Sequence, residues 1–347
     1  MTLVHGGNLA AAAAEFGIPR EQWLDLSTGI SPWSWPVPPL PQTVWNRLPE
    51  RDGELEAAAA AYYGTGSREL LAVPGSQYAI ARIPGTLPTA TAALPLWGYR
   101  EHEAAWQRAG HRILHYRDAE QLAQLVRSGA VRHAVVINPC NPTAELAGLD
   151  RLTDIASGLQ AVDGMLVVDE AFMDTTPENS LLSRRPPNTV VLRSVGKFFG
   201  LAGLRLGFVV AERPLLAELG AAMDPWAVNH PARWIGTRAL ADRAWQRQQR
   251  RRLAVNAHRW NEILAAVFPG NSLTGSSLFT SLQCDWHRGR ALYASAGRHG
   301  LLLRLIGPHS GSAQLRFGHP LPEHHDTALA RLYLALGDLT PEYTCST

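Results

Sequence analysis

Apolar and polar positions follow two different rhythms along this chain. Between residues 54 and 211, short continuous apolar runs alternate with segments of helical spacing. Residues 70–73, 89–94, 111–116, 133–137, 165–168, 190–192 and 206–211 read as buried strands. Residues 54–63, 78–83, 101–109, 119–128 and 149–159 read as the helices between them. Strands alternating with helices predict a layered α/β domain with a mostly parallel central sheet. Past Pro231 the rhythm changes. Residues 232–267 read as one long connecting helix, charged on one face. Strands at 277–284, 301–305 and 313–317 and helices at 291–299 and 326–336 then predict a second, smaller α/β domain. At the front, a helix over 9–16 stops at Gly17 and Pro19, and Trp23 to Pro32 reads as a short strand running into a turn. Pro36, Pro38, Pro39 and Pro41 forbid regular structure and imply an extended arm. The expected organisation is an arm, 1–40, packing on the small domain, a large domain, 41–231, and a connecting helix with the small domain, 232–347.

Composition narrows the function classes. The chain has 347 residues, 46% of them hydrophobic and 18% charged, as in ordinary globular proteins. A net charge of +2 with both signs mixed argues against a broad nucleic-acid surface. The basic run from Gln246 to Arg252 reads as the solvated face of the connecting helix, without an aromatic platform for bases. Cys140, Cys284 and Cys345 are too widely spaced for a disulfide framework or a CxxC metal pair, so a reducing cytoplasm is expected and no metal. No run of about twenty apolar residues predicts a membrane span, and the first residues lack the pattern of a secretory signal.

The candidate chemistry sits where predicted strands end. Leu70–Val73 runs into Pro74-Gly75-Ser76-Gln77 and a helix start, an arrangement whose free backbone N–H groups can cradle an anion. The strand over 133–137 ends in Asn138-Pro139-Cys140-Asn141-Pro142, a rigid turn. The strand over 165–168 ends in Asp169-Glu170-Ala171-Phe172, and the one over 190–192 leads to Ser194-Val195-Gly196-Lys197. Open α/β sheets bind ligands outside the carboxyl ends of their strands. Lys197 in this setting is either a helix-start lysine on a solvated turn or a lysine that forms a Schiff base with a carbonyl cofactor. A phosphate-binding Walker loop is excluded, because the upstream glycine is missing and no Ser or Thr follows the lysine.

The order Gly-Ser turn, Trp97 after a strand, Asn-Pro-x-Asn-Pro, Asp169, Ser-x-x-Lys and Arg205 resembles the fold-type I pyridoxal-phosphate enzymes of the aspartate-aminotransferase superfamily, over about the whole chain. The resemblance implies pyridoxal 5'-phosphate as cofactor. It implies that Lys197 holds the cofactor aldehyde as an imine and that Asp169 keeps the pyridine nitrogen protonated. Gly75, Ser76, Gln77, Ser194 and Arg205 match the phosphate site, Trp97 the stacking ring and Asn141 the amide at the ring hydroxyl. Two departures stand out. Phe172 replaces a tyrosine common in relatives, which removes a hydrogen bond to the cofactor ring oxygen. Arg47-Leu48-Pro49 lacks the tyrosine that in relatives reaches the phosphate of the neighbouring subunit.

The N-terminal stretch speaks to the reaction. His5-Gly6-Gly7-Asn8, a helix, and then Leu24-Asp25-Leu26-Ser27-Thr28-Gly29-Ile30-Ser31-Pro32 resemble the opening of the threonine-phosphate decarboxylases of cobalamin biosynthesis, cousins of histidinol-phosphate aminotransferase. That family converts L-threonine O-3-phosphate to (R)-1-amino-2-propanol O-2-phosphate and carbon dioxide. The resemblance assigns His5 and Arg304 to the substrate phosphate, Arg316 to its carboxylate, and Asn141 and the Gly29 backbone to substrate contact. Gly29 and Ser31 stand where some members have Asn, which removes a side-chain contact. The competing expectations are an aminotransferase for histidinol phosphate or a similar phosphorylated amine, and a catalytically idle pathway partner that retains the fold. A homodimer is expected from the resemblance.

Overall fold

The computed structural model describes residues 5–339. Two compact units divide the chain. The smaller takes the residues up to Trp33, Pro142–Ala144 and those from Gln248 on; the larger takes Ser34–Asn141 and Glu145–Arg247. The first helix, α1 (Leu9–Phe16), is capped by the Asn8 side chain, which accepts from the Ala11 N–H at 3.1 Å, and closes on left-handed Gly17. A two-residue strand, β1 (Leu24–Asp25), follows.

The large unit opens with α2 (Thr43–Asn46) and α3 (Glu54–Tyr63), then β2 (Leu70–Val73), α4 (Ser76–Thr86), β3 (Thr91–Pro95), α5 (Arg100–Arg108), β4 (Arg112–Tyr116), α6 (Ala119–Arg127), β5 (His133–Ile137), α7 (Leu149–Gln160), β6 (Leu166–Asp169), β7 (Thr189–Ser194), β8 (Gly207–Val210), α8 (Arg213–Ala221), α9 (His230–Ala241) and α10 (Arg243–Val267). The strands form one sheet in the order β2-β8-β7-β6-β5-β3-β4. β8 runs antiparallel to both neighbours, and the remaining pairs are parallel. Continuous apolar strands such as His133–Ile137 are buried along their whole length, as a sheet covered on both faces requires. Trp106, Ile83, Val135, Leu192 and Val209 belong to one core cluster of this unit.

The expected single helix over 232–267 is two helices. Asp242 leaves the helical region at φ −82° and ψ 75°. Its carboxylate accepts from the Trp245 N–H at 3.0 Å and from the Trp35 indole at 3.1 Å. A capping carboxylate that starts a new helix wins over propensity here. The two compact units divide between Arg247 and Gln248, inside α10, whereas the expected boundary is Pro231. The arm is also divided. Trp35 N–H bonds to the Phe199 carbonyl at 2.8 Å and the Ser34 hydroxyl to the Gly200 carbonyl at 2.9 Å, so its proline-rich half belongs to the large unit.

The small unit continues with β9 (Leu273–Gly275), β10 (Phe279–Asp285), α11 (Trp286–Arg298), β11 (Leu301–Leu302), β12 (Arg304–His309), β13 (Ser312–Gly318) and α12 (His325–Gly337). β12-β13-β10-β9 is an antiparallel sheet. The expected strand over 301–305 splits, because β11 pairs with β1 and β12 with β13. The segment after β1 is gripped from two sides: Leu26 N–H donates to the Leu302 carbonyl at 2.8 Å, and its own carbonyl accepts from Gly318 N–H at 2.6 Å. Only glycine fits at 318, since a Cβ there would lie 2.2 Å from the Thr28 carbonyl oxygen. Trp260, Phe317, Leu315 and Leu332 centre the core. Cys345 lies outside the described residues. No helix among the described residues is long and apolar enough to cross a membrane.

Candidate active site

In the large unit, the register pairs Val73 with Gly207 and Gly207 with Ser194, so three strand ends lie side by side. Gly75 takes φ +79°, and α4 begins at Ser76 directly after it. A Cβ at Gly75 would stand 2.8 Å from Arg205 Nη2, so the bare glycine lets the guanidinium reach the turn. Arg205 holds a left-handed conformation at φ 55° and donates from Nη1 to the Ala202 carbonyl at 3.1 Å. Helix N–H groups, a guanidinium and the neighbouring Ser194 strand end make an anion cradle. The Gln77 side chain is already engaged. It accepts from Tyr99 at 3.0 Å and donates to Glu101 at 3.3 Å, which leaves its backbone N–H as its contribution to an anion.

Asp169 ends β6 and is buried. One oxygen accepts from the Ala171 N–H at 3.0 Å, and the other lies 3.0 Å from His102 Nε2. His102, on α5, is fully buried, and its sequence signal is no more than an inward position on a helix that follows Trp97. Lys197 is half-buried, its Nζ 5.4 Å from the centre of the buried Phe172 ring. The Trp97 carbonyl accepts from Cys140 Sγ at 3.2 Å, which ties the loop after β3 to the loop that carries Asn141. That second loop is braced by Asn138, whose side chain accepts from Ala147 N–H at 2.9 Å and donates to the Ala147 carbonyl at 3.3 Å.

In the small unit, Arg304 on β12 and Arg316 on β13 are direct register partners. Like charges facing across a sheet are unfavourable, and an anion shared between them removes the penalty. Arg316 is 6% exposed, donates to the Ser27 carbonyl at 2.6 Å and lies 5.5 Å from the Phe279 ring centre. Burial and the Arg304 charge push its pKa below the ordinary guanidinium value, with Asp25 opposing. The Ser27 hydroxyl donates to Asp25 at 2.6 Å and accepts from Gly7 N–H at 2.7 Å. The segment from exposed His5 to Gly7 is thereby pinned to the turn that Arg316 touches. Gly29 is buried two residues past Ser27. Ser31 serves structure: its hydroxyl donates to the Trp33 carbonyl at 2.7 Å and accepts from Gln249 at 2.7 Å.

The family model for aminotransferase class I and II matches residues 42–284. The chain belongs to this family. It is 42% identical to a threonine-phosphate decarboxylase from Pseudomonas aeruginosa over 96% of this chain and 97% of that one. A histidinol-phosphate aminotransferase from Sinorhizobium meliloti, solved in complex with pyridoxal-5'-phosphate, shares the fold with a TM-score of 0.82 at 20% identity, covering 97% of this chain and 96% of the other. An L-threonine-O-3-phosphate decarboxylase from Porphyromonas gingivalis does so with a TM-score of 0.74 at 18% identity, covering 90% and 99%. The family's cofactor is pyridoxal phosphate, and the donor set suits it. The Gly75 turn and Arg205 can take a phosphate, the buried Asp169 carboxylate can take a ring N–H, and Lys197 is an amine beside an apolar ring.

Proposed function

We propose that the chain decarboxylates L-threonine O-3-phosphate to (R)-1-amino-2-propanol O-2-phosphate in cobalamin biosynthesis. The observation that carries this reading is the register pair Arg304 and Arg316, two arginines at one position of neighbouring strands, which suit a substrate with two anionic groups. The full-length decarboxylase relative supports the same choice. Bound pyridoxal phosphate supplies an electron sink for the pair left when a bond at the amino acid's α-carbon breaks.

The chain's own residues do the rest. Lys197 would hold the cofactor aldehyde through its Nζ. Asp169, oriented by His102 and the Ala171 N–H, holds a proton at the pyridine nitrogen. Trp97 would stack on the cofactor ring, Phe172 would stand where relatives carry a tyrosine, and Asn141 would meet the ring hydroxyl. Gly75, Ser76, Gln77, Ser194 and Arg205 take the cofactor phosphate. Arg316 orients the substrate carboxylate, and Arg304 with His5 the substrate phosphate; the Gly29 backbone and Asn141 complete the contacts. Arg316 would thereby hold the carboxylate that is lost as carbon dioxide, and the Lys197 amine would be the proton donor to the substrate α-carbon.

The deciding assay offers L-threonine O-3-phosphate and, separately, histidinol phosphate, each with and without 2-oxoglutarate, and measures carbon dioxide and glutamate. Carbon dioxide without glutamate is expected. Glutamate with histidinol phosphate, and no carbon dioxide, would make the chain an aminotransferase. Lys197→Ala should lose both activity and the visible absorbance of the cofactor-loaded protein.

The protein is read as a cytoplasmic homodimer. Trp45, Leu48 and Trp226 are 62%, 61% and 56% exposed on the large unit, which favours a second copy covering them. Leu48 replaces the tyrosine through which relatives reach across to their partner's cofactor. Light scattering should give twice the 37.9 kDa chain mass.

A further inference from the structure

The two strand ends that present Asp169 and Ser194 each carry a neighbour that points the other way. Register pairs Asp169 with Leu192 across β6 and β7. Alternation along the strands then sets Asp169, Leu192 and Ser194 on one face and Glu170 and Arg193 on the other. On that second face the chain has built a closed ionic cluster. Arg193 Nη1 donates to Glu170 Oε2 at 2.6 Å, and Nη2 donates to Asp174. Ser180 Oγ donates to Glu170 Oε2 at 2.6 Å, and the Leu181 N–H to Oε1 at 2.8 Å. The guanidinium stands 4.5 Å from the centre of the Tyr63 ring. Arg193, Glu170 and Asp174 are 1%, 0% and 0% exposed.

Stability alone is a poor reason for such a cluster. Well-packed apolar residues of the same volume usually serve a core as well or better, because each buried ion is costly to desolvate. What an ionic cluster supplies is direction: forked donors and fixed acceptors hold two strand ends at one relative rotation. A rotation about either strand would swing Asp169 or Ser194 away from its face. Backbone bonds continue the same clamp, since the Glu170 N–H donates to the Leu192 carbonyl at 2.9 Å and the Asn138 N–H to the Asp169 carbonyl at 2.8 Å.

We infer that Arg193, Glu170 and Asp174 are positioning residues that set Asp169 and Ser194, and the Lys197 loop after them, in register for the cofactor. The inference rests on the reading that Lys197 and Asp169 hold pyridoxal phosphate.

The test uses Glu170→Gln and Asp174→Asn in the full chain, each prepared without cofactor and titrated with pyridoxal phosphate. Melting of the cofactor-free protein is read beside the cofactor dissociation constant and the pH midpoint of the visible absorbance. A folded variant should bind on the order of 10- to 100-fold more weakly, the cost typical of removing a residue that orients a ligating group, with a moved pH midpoint. A folded variant that binds within about twofold of the parent chain, with an unmoved midpoint, overturns the inference. Should both single variants fail to fold, the triple variant Arg193→Met, Glu170→Gln, Asp174→Asn leaves no buried charge behind. Parental affinity and midpoint in it overturn the inference, and weakened binding with retained melting supports it. Lys197→Ala is the control for the underlying reading. If it keeps the visible absorbance of the parent, the cofactor assignment itself fails, whatever the cluster variants do.

Discussion

Arg193 and Arg316 are both buried on strands, yet the chain treats them in opposite ways. Arg193 meets two carboxylates within its own unit. Burial works against its charge, but Asp174 and Glu170 outweigh that and raise its pKa above the ordinary value. Arg316 faces another cation, Arg304, in register; burial first and that charge second push its pKa down, with Asp25 opposing. The charge of the first is balanced by the fold. The second faces a like charge across the sheet, a place where an anionic ligand would be favoured. A buried arginine therefore signals structure or binding according to the charges around it, and burial by itself does not distinguish the two.

The largest contrast is expected in stability. Arg193→Met leaves Glu170 and Asp174 buried without their cation, and such breaks cost about 3–5 kcal/mol. Thermal or urea unfolding should show the loss, or the chain should fail to fold. Arg316→Gln should instead melt at or above the parental temperature while kcat/KM for threonine phosphate falls by about 2–4 kcal/mol in transition-state binding, roughly 30- to 1,000-fold. Equal damage to folding by both substitutions would break the comparison.

A buried titratable ring, neutral above acidic pH, sharpens it through pH. The Thr280 hydroxyl donates to Asn261, so the buried His319 Nε2 at 3.0 Å from that oxygen is the donor of their bond. Burial pushes the His319 pKa down to about 3. Its folded pKa lies below the unfolded value of about 6.5, so the neutral ring's contribution to stability is full above that value. The contribution is lost as pH falls toward 3, with a slope of about 1.4 kcal/mol per pH unit. Urea midpoints between neutral and acidic pH should fall less steeply in His319→Gln than in the parent. The smallest effect is expected at the surface. Arg47 and Glu50 form an ion pair at 62% and 67% side-chain exposure, and Arg47→Ala should change unfolding free energy by under about 1 kcal/mol.

Much of the large unit was legible because its strands are continuous apolar runs that stop at Gly, Asp, Asn-Pro or Ser. Such stops placed Gly75, Asn141, Asp169 and Lys197 at strand ends before any pairing was known. The break at Asp242 was not legible, since a single carboxylate within good helical spacing reads as a surface residue. The Asp169–His102 contact joins positions 67 apart in sequence. Nothing local to His102 announces it. The same holds for Glu170, which reads as a turn residue beside Asp169, and for Arg193, an interruption in an apolar run.

By itself the sequence determined which residues leave water and where strands end, because those follow from side-chain period and backbone chemistry within a few residues. It also carried the order of chemical groups that marks the family. Tertiary structure alone decided which charges meet. Whether Arg193 finds Glu170 and Asp174, and whether Arg316 faces Arg304, depends on strand order and register, which arise from contacts between segments far apart in the chain. Coulomb interactions act over a few ångströms of space, and the linear sequence does not record those distances.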